Sequence, residues 1–509
     1  MKLSTTITTR ILTGKLHHRL LRHISTASAT TDTAAKPATI RKESLFQKLY
    51  EVGLSGGKVS DVLHRTMRAG KQISKPTLIH CIKDLRKLGR HHHCLEILDW
   101  LEKGRYDYSS MDYALRIDIL YKLKGLDEAE KYFDNIPSDM QNHSTYGALL
   151  HCYCTELATD KALATFRKME EMGFDSHVLA FNSLLNLFVK VGQPEKVSEL
   201  IADMKHRNLP LNGHTYSFWI QSYRLLGDVE GAERVFHEAQ EQTVVMDDWV
   251  IYSNIASVFI EYGQSEKAIA HLEKLENVMD NSDKPNRASY HHLISLYANA
   301  GKLESVLRTW SKLKSKFKVI NTQSYLSLLQ ALSKLDDIER LEQYFREWES
   351  NCKQSKHYDD RLPAILIGAY LRHDMLQKAE VFLEDCTKKA EKILRMPHVT
   401  FMNYYFEKGK TDFVLKHMEV AINSKWKPTA QKLDPCFQHF KDQKDVDGIE
   451  KFCRLLKKVQ PLDARAYSWL LQTYVEAEER APDMRERIEE DGVNISPELE
   501  ELLERVCPN

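Results

Sequence analysis

The sequence predicts an all-α solenoid built from helix-turn-helix repeats of about 35 residues, and three observations carry that prediction. Aromatic residues recur in phase at Tyr113, Tyr146, Phe181, Tyr216, Tyr252, Tyr290, Tyr325 and Tyr467. Each is usually followed seven residues later by Tyr, Phe or Leu and eleven residues later by Gly or Asp. Finally, strand-like alternation of apolar and polar residues is missing, and no apolar run approaches the ~18 residues of a membrane span. A single globular core would be unusual for 509 residues, whereas a solenoid extends its core along one dimension.

Taken in chain order, residues 1–24 read as a cleavable leader. Lys2, Arg10, Lys15, Arg19 and Arg22 meet no Asp or Glu before Asp32, and Ser and Thr are abundant among phased leucines. That composition is the one of an organellar transit peptide. Arg22-His23-Ile24-Ser25 resembles the processing site of plant mitochondrial presequences, which places the chain in the mitochondrion ahead of the plastid. Residues 25–42 are expected to form a disordered linker and 43–74 to form capping helices, with Glu43 to Arg68 covering the first repeat.

About twelve repeats are expected over 75–481, best defined at 143–321 and degenerate at 360–481. With the aromatic as the fourth residue, they start at Lys75, Ser110, His143, Val178, Gly213, Trp249, Arg287, Thr322, Asp360, Arg395, Ala430 and Ala464. Pro363 is the strong exception at the aromatic place. In the repeat Val178–Asn212, Phe181, Leu184, Leu185 and Phe188 form the stripe of one amphipathic helix, and Val197, Leu200, Ile201 and Met204 that of a second. Gly192 and Pro194 separate them. A last helix over 482–509 should close the array, with Ser496 as N-cap, Pro497 at the first helical position and Leu499, Leu502, Leu503 and Val506 on its apolar face.

The pattern aromatic-Asn-x-Leu-Leu, a central Gly, an apolar second helix, Met-Lys and a closing Asn resembles the pentatricopeptide repeat, P-class, of plant organelles. The tetratricopeptide repeat differs, wanting Gly at the eighth place and Pro near the end. The resemblance covers about Lys75 to Ala481 and implies a right-handed superhelical solenoid that binds RNA. It also implies that the fifth and last residues of a repeat read one base by hydrogen bonding. Carried over, the base-reading candidates are Asn182 with Asn212 for a pyrimidine, Ser217 with Asp248 for G, and Ser253 with Asn286 for A. Elsewhere the fifth place is often Ile79, Ala114, Leu326, Ala364 or Val399, none of which can discriminate base edges by hydrogen bonds.

Three readable repeats are too few for a unique transcript address, and this divides the functional expectations. One is a non-catalytic RNA-binding adaptor acting in mitochondrial transcript stabilisation, processing or translation, with single-stranded RNA as partner. The alternative is a structural or assembly component of the mitochondrial ribosome, contacting ribosomal RNA and mitochondrial ribosomal proteins, as some family members are; a further alternative is a helical protein–protein scaffold. A monomer is expected. Charge argues against simple phosphate binding: the 72 Lys plus Arg equal the 72 Asp plus Glu, and loss of residues 1–24 leaves 67 against 72.

No cofactor, metal or catalytic residue is expected. His417-Met418-Glu419 with Pro435-Cys436-Phe437-Gln438-His439 superficially resembles a zinc deaminase signature, but His439 replaces the last cysteine and both segments fall inside the repeat frame. His271-Leu272-Glu273 lacks a matching cysteine pair. Gly53 to Ser60 misses the phosphate-loop spacing, with three residues between its glycines and Val59 after Lys58. His91-His92-His93 reads as a polar corner, and Cys152 and Cys154 do not share a helix face. The nine cysteines, odd in number and irregularly spaced, read as buried thiols.

Overall fold

The computed structural model describes residues 44–507 other than 56, 71, 105, 175–176, 243–248, 282–284, 353–357 and 429. The expected leader and linker, together with Asp248, lie outside the described residues. Among the described residues there are 27 α-helices, one short 3-10 turn at Ser138–Met140 and no strand. Contact density divides the chain into two compact units, Met1–Asn254 and Ile255–Asn509.

The first unit holds α1 (Leu45–Ser55), α2 (Val59–Arg68), α3 (Lys75–Lys87), α4 (His91–Lys103), α5 (Ser110–Lys124), α6 (Leu126–Asp134), α7 (His143–Glu156), α8 (Thr159–Glu171), α9 (Val178–Lys190), α10 (Glu195–His206), α11 (Gly213–Leu226), α12 (Val229–Glu241) and the start of α13 (Trp249–Glu261). The second continues with α14 (Ser265–Asp280), α15 (Arg287–Asn299), α16 (Leu303–Lys316), α17 (Thr322–Lys334), α18 (Ile338–Asn351), α19 (Arg361–Arg372), α20 (Leu376–Ala390), α21 (Arg395–Glu407), α22 (Thr411–Asn423), α23 (Ala430–Asp442), α24 (Val446–Lys457), α25 (Ala464–Ala477), α26 (Met484–Glu490) and α27 (Pro497–Val506). Odd-numbered helices from α3 to α25 begin at the repeat starts read from the sequence, with one residue of slippage at Asp360. First helices pack on neighbouring first helices, as α5 does on α7, α7 on α9 and α17 on α19.

Each element of the repeat pattern has a physical cause. The residue eleven places after the aromatic ends the first helix in left-handed backbone: Gly192 has φ +72° and Gly301 φ +71°, and Asp336 takes the same conformation at φ +61°. Glycine is favoured there because a Cβ resists positive φ. The chain then closes a 6→1 bond, such as Gln193 N to Phe188 O at 2.9 Å. In four repeats the aromatic is buried and meets an aromatic from the preceding second helix edge-on. Phe133 and Tyr146 lie 4.9 Å apart, Phe166 and Phe181 5.1 Å, Phe236 and Tyr252 5.4 Å, and Trp310 and Tyr325 5.2 Å. Such pairs contribute about 0.5–1.5 kcal/mol beyond burial and join successive repeats.

At Pro363 the device is kept by a displaced residue. Tyr358, just ahead of α19, packs on Trp348 at 5.0 Å, and its hydroxyl donates to Glu349 Oε1 at 3.0 Å. A second set of bonds uses the residue seven places after the aromatic: Tyr297 donates to Glu276 at 2.9 Å and Tyr474 to Glu450 at 2.9 Å, reaching from a first helix to the preceding second helix.

At one end, Leu49, Val59 and Leu63 are fully buried with Leu78, Ile82 and Leu85 of α3. At the other, Ser496 Oγ accepts from Leu499 N at 3.3 Å, and Leu499, Leu503 and Val506 are buried. The C-terminal segment differs from the single helix expected: α26 precedes α27, burying Met484 and Ile488.

Candidate nucleic-acid interface

The last residue of a repeat is the N-cap of the next first helix. Ser74, Asn142, Asn212, Asn286, Asn321 and Asp463 all accept backbone N–H groups of the helix that follows. These short polar side chains satisfy amides that the helix start leaves unpaired. The residue types expected to read bases are therefore partly committed to folding.

Asn182 and Asn212 are brought together. Asn182 Nδ2 donates to Asn212 Oδ1 at 3.2 Å, and that same oxygen accepts from His214 N at 3.0 Å and Thr215 N at 3.1 Å. The Thr215 hydroxyl, fully buried, donates to Asn182 Oδ1 at 2.9 Å. Asn182 is 8% exposed, and among the described residues the Asn212 side chain takes part through its oxygen. The same construction recurs at a pair the sequence left unassigned. His291 Nε2 lies 2.8 Å from Ser324 Oγ, which donates to Asn321 Oδ1 at 2.8 Å. Both hydroxyls occupy the third place of their repeat, a position sequence reasoning missed; their recurrence as Thr145, Thr215, Ser289 and Ser324 was the available signal.

The other candidates stand differently. Ser217 is buried and its Oγ has no hydrogen-bond partner among the described residues, while Asp248 lies outside them. Ser253, 1% exposed, turns its hydroxyl back to Trp249 O at 2.8 Å. Asn286 accepts from Ala288 N at 3.1 Å as the cap of α15.

Models of three repeat families match the chain: the PPR repeat family at residues 176–224, the pentatricopeptide repeat domain at 139–191, and the PPR repeat at 214–244 and 288–316. Among similar proteins, a mitochondrial pentatricopeptide repeat-containing protein of Arabidopsis thaliana is 38% identical over 92% of this chain and 87% of its own. Another from the same plant is 36% identical over 97% of this chain and 99% of its own. The chain belongs to the pentatricopeptide repeat family. It is also 31% identical to the large ribosomal subunit protein mL101 of Arabidopsis thaliana, over 96% of this chain and 99% of that protein. The crystal structure of PPR10 from maize is similar at 16% identity, with a TM-score of 0.42, covering 91% of this chain and 71% of that one. The mitochondrial designation of these plant relatives agrees with the location expected from the sequence, and this pentatricopeptide repeat protein is mitochondrial.

Within the repeats of this family member, the i, i+4, i+8 geometry of a helix puts the fifth, ninth and thirteenth places on one stripe. The ninth place is polar or glycine throughout: Lys83, Asp118, His151, Asn186, Gln221, Ser257, Ser295, Gln330, Gly368, Asn403, Gln438 and Gln472. The thirteenth carries Lys87, Lys122, Lys190, Lys334 and Arg372, but Glu261, Glu407, Asp442 and Glu476 elsewhere. Several of these cations are held by neighbouring acids, as Lys122 is by Asp118 at 2.9 Å and Lys87 by Asp84 at 3.1 Å.

The near-miss motifs resolve into packing. His417 Nδ1 meets His398 Nδ1 at 2.9 Å and its ring stacks on Phe401, 5.0 Å away. Burial first, then the His398 charge, pulls the His417 pKa down to about 4. His271 stacks on Phe259 at 5.3 Å. At the phosphate-loop look-alike, Val59 N donates to Glu96 Oε2 at 2.8 Å, so a carboxylate already occupies the start of α2. Burial pushes the thiols of Cys152 and Cys154 up to about 12. Among the described residues no three metal-ligating side chains converge, and no helix is long and apolar enough to cross a membrane.

Proposed function

We propose that this protein is a non-catalytic RNA-binding adaptor that holds single-stranded mitochondrial RNA along the first-helix face, contributing to transcript stabilisation, processing or translation. The observation supporting it most is the Asn182–Thr215–Asn212 cluster. Stacking of α9 on α11 brings two amides 30 residues apart within 3.2 Å, at the two places of a repeat that read one base in this family. The Asn182 amide is oriented by its neighbours, so little side-chain entropy remains to be lost on meeting a base. Ser217 with Asp248 would extend that reading to G at the next base, whereas Ser253 spends its hydroxyl proton on Trp249 O.

The test is binding of randomised RNA to the mature chain. Asn182→Ala should relax the pyrimidine preference at one position and cost about 1–3 kcal/mol there, the worth of a good base contact. A second reading, a component of the mitochondrial ribosome, draws on the similarity to mL101 along nearly the whole of both chains, and on the apolar fifth places. Should Asn182→Ala change neither affinity nor base preference while the protein sediments with a ribosomal subunit in near-equal amount, that second reading replaces the first.

A further inference from the structure

In the second unit the second helices are joined side to side by ion pairs that keep one place in the repeat. Glu276, Lys314 and Glu349 stand at the twenty-eighth places of three successive repeats, and each reaches the twenty-sixth or thirtieth place of the next. Glu276 meets Lys312 at 2.9 Å, Lys314 meets Glu347 at 2.6 Å and Glu349 meets Lys389 at 2.8 Å, which links α14, α16, α18 and α20 in series. Beyond α22 the linking resumes, with Glu419 on Lys458 at 3.1 Å toward the end of α24 and Glu450 on Arg487 at 2.8 Å between α24 and α26.

Among the described residues no ion pair joins α20 to α22, and the sequence gives the reason. Thr387 occupies the twenty-eighth place on α20, and Val420 and Ser424 occupy the two receiving places of the next repeat. The charges of α20 turn back instead, Lys378 to Glu342 at 2.6 Å and Lys389 to Glu349. What spans the seam is Tyr405 of α21, whose hydroxyl donates to Glu380 Oε1 at 3.4 Å, against 2.9 Å for the bonds of Tyr297 to Glu276 and Tyr474 to Glu450. Apolar surface lies open on both sides: Val381 of α20 is 62% exposed and Phe413 of α22 45%. The first helices are continuous here, α19 packing on α21 as α17 does on α19.

We propose that this seam is a joint: α20 and α22 part and close while α19 and α21 stay packed, so that the repeats from Arg395 onward swing about the first-helix face. Exposed ion pairs are individually weak, so the missing link is read in motion across the seam and not in global stability. The joint lies among second helices and goes beyond the RNA-binding reading, standing whether the first-helix face meets RNA or protein. It lets the degenerate repeats follow the contour of a partner with Phe401 and Met402 still buried.

The experiment is pulsed EPR on the full chain, with nitroxides attached through ketone-bearing residues at exposed positions. Labels at Gln343 and Glu384 report the α18–α20 seam, and labels at Glu384 and Lys416 the α20–α22 seam. The α20–α22 distance distribution should be the broader. Salt at about 1 M, where the screening length is about 3 Å, should broaden the α18–α20 distribution and leave the α20–α22 one as it was. Thr387→Lys/Val420→Glu, which copies the placing of Lys314 and Glu347, should narrow the α20–α22 distribution at low salt only, whereas Thr387→Lys/Val420→Lys should not narrow it. Wild-type distributions of equal width at the two seams overturn the joint, whether or not the variants fold. Narrowing by the like-charged pair, or narrowing that survives high salt, overturns the missing ion pair as its cause.

Discussion

The repeats around Val178–Asn212 and those from Asp360 onward share one packing scheme and differ in what their first helices present. In the former, Asn182, Thr215 and Asn212 close a hydrogen-bonded cluster across two repeats. In the latter, Ala364 and Leu394 stand at the equivalent places and Pro397 holds the third place of the next repeat, so no such cluster is possible. Burial is unaffected: Phe181 and Phe401 are both fully buried. Stacking and recognition are thus carried by different side chains of the same helix, and one can degenerate while the other persists.

The sharpest way to break this comparison is through the core. Phe181→Ala and Phe401→Ala should each cost about 3–5 kcal/mol in urea unfolding; a Phe401→Ala penalty near 1 kcal/mol would show that the C-terminal repeats are loosely packed after all. Next comes the carboxylate between repeats. Glu450 accepts from Arg487 through both oxygens at 2.8 and 2.9 Å and from Tyr474 at 2.9 Å, whereas Glu130 of the N-terminal repeats holds Lys161 at 2.6 Å with the lysine more than half exposed. Glu450→Gln should therefore cost about 2 kcal/mol and Glu130→Gln less than about 1 kcal/mol. Equal penalties would mean that burial does not separate the two.

A pH series that sets wild type against a His417 variant probes the C-terminal repeats. The folded pKa of His417 is depressed from 6.5 to about 4, so the unfolded chain takes up a proton first as pH falls. The stability tied to the neutral pair is present above about pH 6.5 and is lost between there and pH 4, on the order of 2 kcal/mol. His417→Phe, set against Phe401 and Tyr405, should flatten that part of the wild-type slope, and parallel slopes in the two proteins would contradict the assignment. The smallest effect belongs to the cap. Asn212→Ala should cost about 1 kcal/mol of stability even without RNA, because Asn212 Oδ1 serves the first turn of α11. Unchanged stability would show that the side chain is free for recognition.

Much of the fold was legible because a repeat uses short-range rules. The aromatic and the residue seven places later lie on one helical stripe, and the Gly or Asp eleven places later ends the helix at positive φ, so three positions in phase disclose the start, core face and end of each first helix. Pro363 escaped that reading because its aromatic partner, Tyr358, had moved out of the helix ahead of it. The site was less legible. The sequence pointed to Asn182 and Asn212, yet not to Thr215 between them, nor to the His291–Ser324–Asn321 group built in the same way.

From the sequence alone follow the repeat period, the helix boundaries, the family and the organelle, because each is written in residues at most one repeat apart or in local composition. Only the tertiary structure decided which polar side chains remain available to a ligand. A hydroxyl or amide goes to whichever partner stacking brings within 3 Å or so, and those partners lie some 30 residues away in the chain. Thus Asn182 is oriented by Thr215 and His291 meets Ser324, while Gln330, which no motif marked, lies exposed at the edge of a groove.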